Sequence, residues 1–404
     1  MIDLRAARND PDRFRAALAR KGAADAFDAL LAADQRWREI VPRVDELRAR
    51  QKLDGPPTPE QIEDLKRVKA ELQELERELA AAEAERDELA LRVPNPPHET
   101  VPDGATEEDV QEVSRSGAPP EIADPKDHLE LGRFDMERAA RTSGARFGYW
   151  IGDTALVALA MYRFALDRLV AKGFVPVLPP VLVRDEALFG TGWFPTEEAN
   201  VYEVPGDELY LAGTAEIPLA ALHKDEILSA GELPLRYVGF SPCFRREAGA
   251  AGKDTRGMFR VHQFNKVEMF AFTRPEESWD EHERLRANTE ELLQELGMPY
   301  RVVVLPTGDM SSASAKTYDV ECWFAAQGRY RETASISNTT DYQARRLQSR
   351  FRSDKTVETV HTLNGTAIVD RMALALLEAF QQPDGTVAVP EALQRYGAPA
   401  VARA

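Results

Sequence analysis

Apolar positions in the first 92 residues fall into two narrow stripes. Leu30, Ala33, Trp37, Ile40, Val44 and Leu47 recur at alternating steps of three and four, and Leu65, Val68, Leu72, Leu75, Leu79, Ala82 and Leu89 follow the same rhythm after the break Leu53-Asp-Gly-Pro-Pro-Thr-Pro59. That rhythm belongs to heptad helices. The opposite faces are densely charged, so each helix can bury its seam only against the other, which predicts an antiparallel helical hairpin over about 27–92. At ~1.5 Å per residue it would reach roughly 40 Å. Pro42 should bend the first helix locally, because it lacks the amide donor and crowds the preceding turn. A short helical lead-in precedes the hairpin, started by Asp10-Pro11-Asp12 and stopped by Lys21-Gly22.

The pattern changes after Val93-Pro-Asn-Pro-Pro-His98, where a Pro/Gly/Asp-rich stretch runs to about Pro125 and reads as a linker. The predicted boundary lies near 104, giving domains 1–104 and 105–404. One helix is expected from Met136 to Lys172, then a buried strand within Gly173–Val183 with Pro180 at its edge. From Arg236 to Phe272 two runs of β-branched and aromatic residues flank a Gly/Ala/Asp loop, the pattern of an antiparallel strand pair with a long connection. With alternating side chains, Arg245 and Glu247 share a face, as do Arg260, His262, Phe264, Lys266 and Glu268. Interleaved cations, carboxylates and an aromatic ring suit a polyanionic nucleotide with a flat base better than a hydrocarbon core.

Composition narrows the reading. A net charge of −17 over 404 residues opposes broad nucleic-acid binding, so any RNA contact must be a local cationic patch. Arg48, Arg50, Lys52, Lys66, Arg67 and Lys69 flank the hairpin tip and form such a patch, although a dimerising coiled coil would show the same seam. Two cysteines support neither a disulfide framework nor a four-ligand zinc site. With no apolar signal region and no apolar run near 20 residues, a cytoplasmic protein without membrane spans is expected.

Three ordered motifs then carry a family resemblance. Phe244-Arg245-Arg246-Glu247, Asp254-Thr255-Arg256-Gly257 and Phe264-Asn265-Lys266-Val267-Glu268 closely resemble the second signature of class II aminoacyl-tRNA synthetases; Gly173–Val183 resembles the first and His361–Leu377 the third. With the helical arm, the chain resembles seryl-tRNA synthetases of bacterial type. The resemblance implies an α+β fold, with a mixed, mainly antiparallel sheet flanked by helices and the coiled-coil arm in front. It implies an ATP- and Mg²⁺-dependent ligase that joins L-serine to tRNA-Ser, with tRNA-Sec as a further acceptor, working as a homodimer whose interface includes Pro180. No phosphate-binding Gly-rich loop is present, in keeping with such a fold.

The same resemblance assigns roles. Arg245 would fork onto the α-phosphate, Glu247 meet the adenine edge, Phe264 stack on the ring, and Arg256 and Arg371 reach the outer phosphates, with Arg246, Thr333 and Ala334 completing the ATP set. Glu332 and Ser335 would hold the metal. On a regular strand these two face opposite ways, so a bulge or a backbone contact from Ser335 is expected. Thr214, Ala215, Glu216, Arg245, Glu268, Asn338 and Thr366 would bind serine, with Glu268 on the ammonium. Asp341-Tyr-Gln-Ala-Arg-Arg346 completes the segment. The run from Thr366 to Arg371 is one residue shorter than the common seryl pattern, and Asp370 stands where a Gly is usual. An amino-acid carboxylate is already anionic at neutral pH, so the chemistry needs no general base, and His262 reads as structural. The competing readings are a paralogue that supplies activated serine to a biosynthetic pathway and a non-catalytic tRNA-binding homologue.

Overall fold

Residues 1–52, 58–248, 257–354 and 356–404 are described by a computed structural model, and they part into two units, Met1–Pro96 and Pro97–Ala404. In the first, α1 (Leu4–Asn9) is capped by Asp3 and α2 (Pro11–Ala19) by Asp10, whose side chain accepts from the Arg13 amide, with Pro11 in the first turn. The stripes form α3 (Ala24–Arg50) and α4 (Pro59–Arg92), the latter opened by a reciprocal capping box between Thr58 and Gln61. Val44, Leu47, Val68, Leu72 and Leu75 close the seam with Ile40 and Leu79 beside them. A second cluster, including Ile2, Ala7, Leu18, Phe27, Leu30, Ala90 and Val93, anchors the short helices to the hairpin. Pro42 sits exposed inside an otherwise unbroken α3. Of the predicted tip, Leu53–Pro59, residues 53–57 lie outside the described residues.

The second unit is built on an eight-stranded sheet: β1 (Gln111–Ser116), β2 (Val175–Val177), β3 (Leu235–Phe244), β4 (Gln263–Thr273), β5 (Tyr300–Val304), β6 (Lys316–Phe324), β7 (Arg329–Thr340) and β8 (His361–Val369), in the order β1-β5-β6-β7-β8-β4-β3-β2. Only the edge pair β2–β3 runs parallel, so the sheet is mixed and mainly antiparallel, as expected. Side-chain alternation splits it into two faces. On one, Val267, Met269 and Ala271 join the main core with α5 (Asp153–Ala171), α8 (Ser278–Glu295) and α10 (Asp370–Ala379). On the other, Phe270 and Phe272 pack with Leu219 of the short helix α7 (Glu216–Ala220). Lys266 and Glu268 share this second face, where hydrocarbon gives way to a cleft.

Three local expectations need correction. The buried strand expected within Gly173–Val183 is the short, largely exposed edge strand β2, and Pro180 lies beyond its end. The predicted helix 136–172 is two helices, Met136–Ser143 and α5, separated by Gly144 and Gly152 at φ +100° and +61°. A residue with a Cβ would resist both backbones, so the chain turns there instead of continuing. The predicted hairpin is β3–β4, but its return strand begins at Gln263, so Arg260 and His262 belong to the connection.

One buried polar strut ties the sheet to its helices. Asp370, the first residue of α10, accepts a hydrogen bond from the Tyr162 hydroxyl of α5 and further bonds from Asn265 of β4. Burial pushes its carboxyl up from 3.8 to about 6, against the pull of those donors. Across that window the folded chain holds a proton that the unfolded chain has released, so this group's contribution to stability falls as pH rises and is level above 6. Asp370→Asn should therefore gain stability relative to the parent between pH 4 and 7, by up to ~3 kcal/mol, in urea unfolding at a series of pH values. A pH-independent difference would show that Asp370 titrates alike in both states.

Candidate functional site

A cleft of about 380 Å³ opens on the second face of the sheet, and its two ends differ in charge. At the arginine end, Arg245 leaves the end of β3 and donates from Nε to the Gly213 carbonyl at 3.2 Å, while its guanidinium lies 5.5 Å from the Trp193 ring and 5.4 Å from Phe264. Its fork is thus held between two aromatic faces. Arg371, at the start of α10, donates to the Phe259 carbonyl at 3.0 Å and meets the Glu332 carboxylate at 3.2 Å. Glu247 also lines the cleft, and Arg260 grips it at 2.5 Å.

Glu332 and Ser335 both reach this wall, for a reason visible in the register. Val320 of β6 faces Ala334 of β7, yet Glu321 faces Glu332, so Thr333 is an extra residue in β7. The bulge turns Glu332, Ser335 and Ser337 to the cleft while Ala334 and Ile336 enter the core. Thr333 itself donates to the Val320 carbonyl at 3.0 Å across the irregularity. Burial alone would raise the Glu332 carboxyl, but Arg371, Arg245 and Arg260 outweigh it and hold it below the ordinary glutamate range. Behind Ser335, burial and Glu332 push the Asp319 carboxyl well up, and one of its oxygens is buried without a partner. The donors are all oxygen, with an ionised carboxylate at the cleft surface, a set that fits a hard divalent cation such as Mg²⁺.

The other end is acidic and hydroxyl-lined. Glu268 pairs with Lys266 at 2.5 Å and accepts from the Thr366 hydroxyl at 3.3 Å. A second bulge makes this possible: Val267 faces Ile368 but Glu268 faces Thr366, leaving Ala367 unmatched in β8. Glu216, at the start of α7, accepts on Oε1 from Asn364 and from Gln343, each at 2.8 Å. Burial, then the nearby Glu268, raise its carboxyl to about 7 despite Gln343, Lys266 and Arg245. Thr214 lies beside it and accepts from the Glu216 amide.

Of the residues proposed from sequence, Arg245, Glu247, Phe264, Glu332, Thr333, Ala334, Ser335, Arg371, Thr214, Glu216, Glu268 and Thr366 all border this cleft. Three do not. Arg246 turns away over the Tyr202 ring; Ala215 is buried in the second core cluster; Asn338 is fully buried and donates to the Ser278 carbonyl. Arg256 lies outside the described residues. His262 is absent from the wall and donates from Nδ1 to the Arg245 carbonyl at 2.9 Å, the structural role expected. Trp193, Asn364, Lys266 and Ser311–Ser314 line the cleft without having been assigned to it. Asn364 was within reach of sequence, two residues before Thr366 on one strand face. Trp193 carried no such signal.

On the first unit, the six cations assigned to RNA are exposed, and four meet carboxylates of the same arm: Arg48 with Glu76, Arg50 and Arg67 with Asp64, and Lys66 with Glu63. Exposed pairs of this kind are worth only ~0–1 kcal/mol and yield readily to a phosphate.

Comparison with known proteins bears on both units. Residues 1–97 match the profile of the seryl-tRNA synthetase N-terminal domain, and residues 200–380 that of the class II tRNA synthetase core domain for G, H, P, S and T. The chain is 46% identical to a serine–tRNA ligase of Streptomyces coelicolor, over 98% of this chain and 97% of that one. It is 43% identical to that of Pyrococcus furiosus, over 98% and 96%. Among solved structures, the seryl-tRNA synthetase of Pyrococcus horikoshii complexed with ATP superposes with a TM-score of 0.94 at 40% identity, covering 100% of this chain and 99% of that one. The cytoplasmic enzyme of Naegleria fowleri in complex with AMP gives 0.89 at 32%, covering 98% and 96%.

The packing around Arg245 can be tested directly. A Cβ at Gly213 would come within 2.6 Å of the Trp193 ring, so Gly213→Ala must push the indole off its place beside the guanidinium. ATP binding should weaken about tenfold by calorimetry, in the range of a desolvated cation–aromatic contact. Unchanged affinity would mean that the aromatic cradle does not set the position of Arg245.

Proposed function

Because the chain belongs to the seryl-tRNA synthetase family, we propose that this cleft activates L-serine with ATP and that the helical arm presents tRNA-Ser for charging. The observation that carries the reading is the union in one cleft of an acidic, hydroxyl-lined end with an arginine end. An amino acid offers an ammonium and a hydroxyl to the first while its carboxylate faces a nucleotide held by the second.

In the first step a serine carboxylate oxygen attacks the α-phosphorus of ATP; the new P–O bond forms as the bond to the β-phosphate oxygen breaks, giving seryl-adenylate and pyrophosphate. In the second, a ribose hydroxyl at the tRNA 3′ end attacks the anhydride carbonyl, AMP leaves and the hydroxyl proton passes to solvent. Neither attack on phosphorus nor departure of pyrophosphate calls for a protein base, so alignment and charge are the chain's contribution. Arg245 holds the α-phosphate from its aromatic cradle, Phe264 supports the adenine and Glu247 its edge. Arg371, with Arg256, takes the outer phosphates. Glu332 and Ser335 would hold Mg²⁺, which would supply charge neutralisation along the phosphates. Glu268 receives the ammonium, and Thr214, Glu216, Asn364 and Thr366 surround the hydroxyl. The acceptors are tRNA-Ser and, where the host makes one, tRNA-Sec.

The protein is further proposed to act as a cytoplasmic homodimer. No helix among the described residues is long and apolar enough to cross a membrane. The edge strand β2 and the loop after it nevertheless leave Val175, Leu178 (83% exposed) and Pro180 bare, and helix α5 leaves Leu156, Leu159 and Val170 exposed. An apolar edge of this kind is suited to a second copy.

Serine-dependent exchange of pyrophosphate into ATP is the direct test. The parent should exchange with serine, more weakly with threonine and least with alanine, since alanine leaves buried polar groups unpaired. Arg245→Ala should lose on the order of 10² to 10³ in rate with the fold intact. Exchange at the parental rate in that variant would remove Arg245 from the mechanism, and preference for alanine would show the substrate to be wrong. Deleting about residues 30–90 should spare exchange and abolish charging, because the seam closes within the arm and the cleft draws no residue from it. If both activities fell together in a folded variant, the arm would not be a separate RNA module.

A further inference from the structure

The segment Asp341–Arg346 contributes nothing to the cleft wall, yet it forms a short helix, α9 (Tyr342–Leu347), packed behind the acidic end. Gln343 is fully buried there and is hydrogen-bonded at both ends of its amide. Its Nε2 donates to the Thr191 carbonyl at 3.2 Å and to Glu216 Oε1 at 2.8 Å. Its Oε1 accepts from the Thr362 hydroxyl at 3.0 Å, and Thr362 is in turn met by the Thr339 hydroxyl, which lies 2.7 Å from the Thr362 carbonyl. A backbone carbonyl can only accept, so the nitrogen must face Thr191 and the amide orientation is fixed. Every donor and acceptor of this amide is satisfied in that orientation, and the reversed one would set its oxygen against two others.

The partners lie on separate pieces of the site. Thr191 ends the helix α6 (Asp185–Thr191), which leads into Trp193; Glu216 opens α7; Thr339 and Thr362 belong to β7 and β8. Arg346, one turn along α9, donates to the Phe189 carbonyl, so α9 holds the end of α6 at two points. With Asn364 donating to the same Oε1, the Glu216 carboxylate is fixed in rotation and Oε2 is left for a ligand.

We propose that Gln343 is the positioning residue of the amino-acid subsite, orienting the Glu216 carboxylate toward the serine hydroxyl without touching serine itself. The inference rests on the assignment of Glu216 to the amino acid. It accounts for how a carboxylate crowded by Glu268 stays usable as an acceptor, since Lys266, Arg245 and two amide donors oppose the influence of Glu268. Burial and Glu268 have already raised that carboxyl to about 7 against the pull of Gln343, so loss of the amide raises it further. The acceptor form then appears only at higher pH.

The test is pyrophosphate exchange by Gln343→Met and Gln343→Glu from pH 6 to 9, with Michaelis constants for serine and ATP and a melting temperature for each variant. Removing a hydrogen bond to a charged group should raise the serine constant by ~10- to 100-fold, leave that for ATP within about twofold, and move the acid limb for serine to higher pH, further for Glu than for Met. A residue that only fills space would change both constants together and leave the limb in place, and that result overturns the proposal. If Gln343→Met does not fold, Thr362→Val, which removes one hydroxyl from Gln343 Oε1, should show the same split in smaller degree against Thr362→Ser as the control. Equal behaviour of those two variants would also overturn it. Absence of serine-dependent exchange in the parent would instead sink the assignment of the cleft to serine.

Discussion

The site depends on breaking the two-residue period of a β-strand in two places. A regular strand sends alternate side chains to opposite faces, so a wall of consecutive functional groups needs an inserted residue. Thr333 in β7 puts Glu332 and Ser335 on one face, and Ala367 in β8 puts Thr366 opposite Glu268. Both inserted residues remain buried, and the Thr333 hydroxyl reaches back to the β6 carbonyl at the irregularity. Both irregularities thus fall where the other face must gather charge.

That charge is arranged to be stable before any ligand arrives. Glu332 lies against Arg371, Glu247 against Arg260 and Glu268 against Lys266, while two amides attend Glu216. Each pairing offsets part of the desolvation that a cleft imposes on a lone ion, and each can be exchanged for a substrate group of the same sign as the partner it displaces. In the proposed reading, a triphosphate takes the place of Glu332 beside Arg371 and an ammonium that of Lys266 beside Glu268. The excess of cations at one end and of carboxylates at the other would orient a zwitterionic amino acid on a polyanion.

Much of this was legible in the chain. The heptad stripes gave the α3–α4 seam, alternating residues gave β3 and β4, and the mismatch in parity between Glu332 and Ser335 called for either a bulge or a backbone contact from Ser335 before any register was known. Where the reading failed, membership of a motif had been allowed to override parity. Arg246 adjoins Arg245 and must face the other way; Asn338 is out of phase with Ser335 and Ser337 and so enters the core. Asn364, in phase with Thr366, was missed for the same reason. Tertiary facts lay beyond such arguments: the Trp193 ring against Gly213, the start of β4 at Gln263, and the cross-helix pairing of Arg48 with Glu76. The i,i+3 pairs Glu63–Lys66 and Asp64–Arg67, by contrast, could have been read from their spacing.

Those pairs bear on how an acidic protein can hold RNA. A bare cationic tip would attract any polyanion, whereas cations already matched by neighbouring carboxylates present little net field at a distance and exchange partners only on close contact. Each phosphate that displaces a carboxylate gains little energy, so a useful grip needs several contacts made together along the arm. That requirement favours an RNA of matching shape over any short or flexible strand. The same logic applies to the proposed cleft, where Arg371 and Lys266 would be released from Glu332 and Glu268 only by groups that fit both charge and position. Under that proposal, discrimination in both units comes from making the correct ligand displace an internal partner at several points at once.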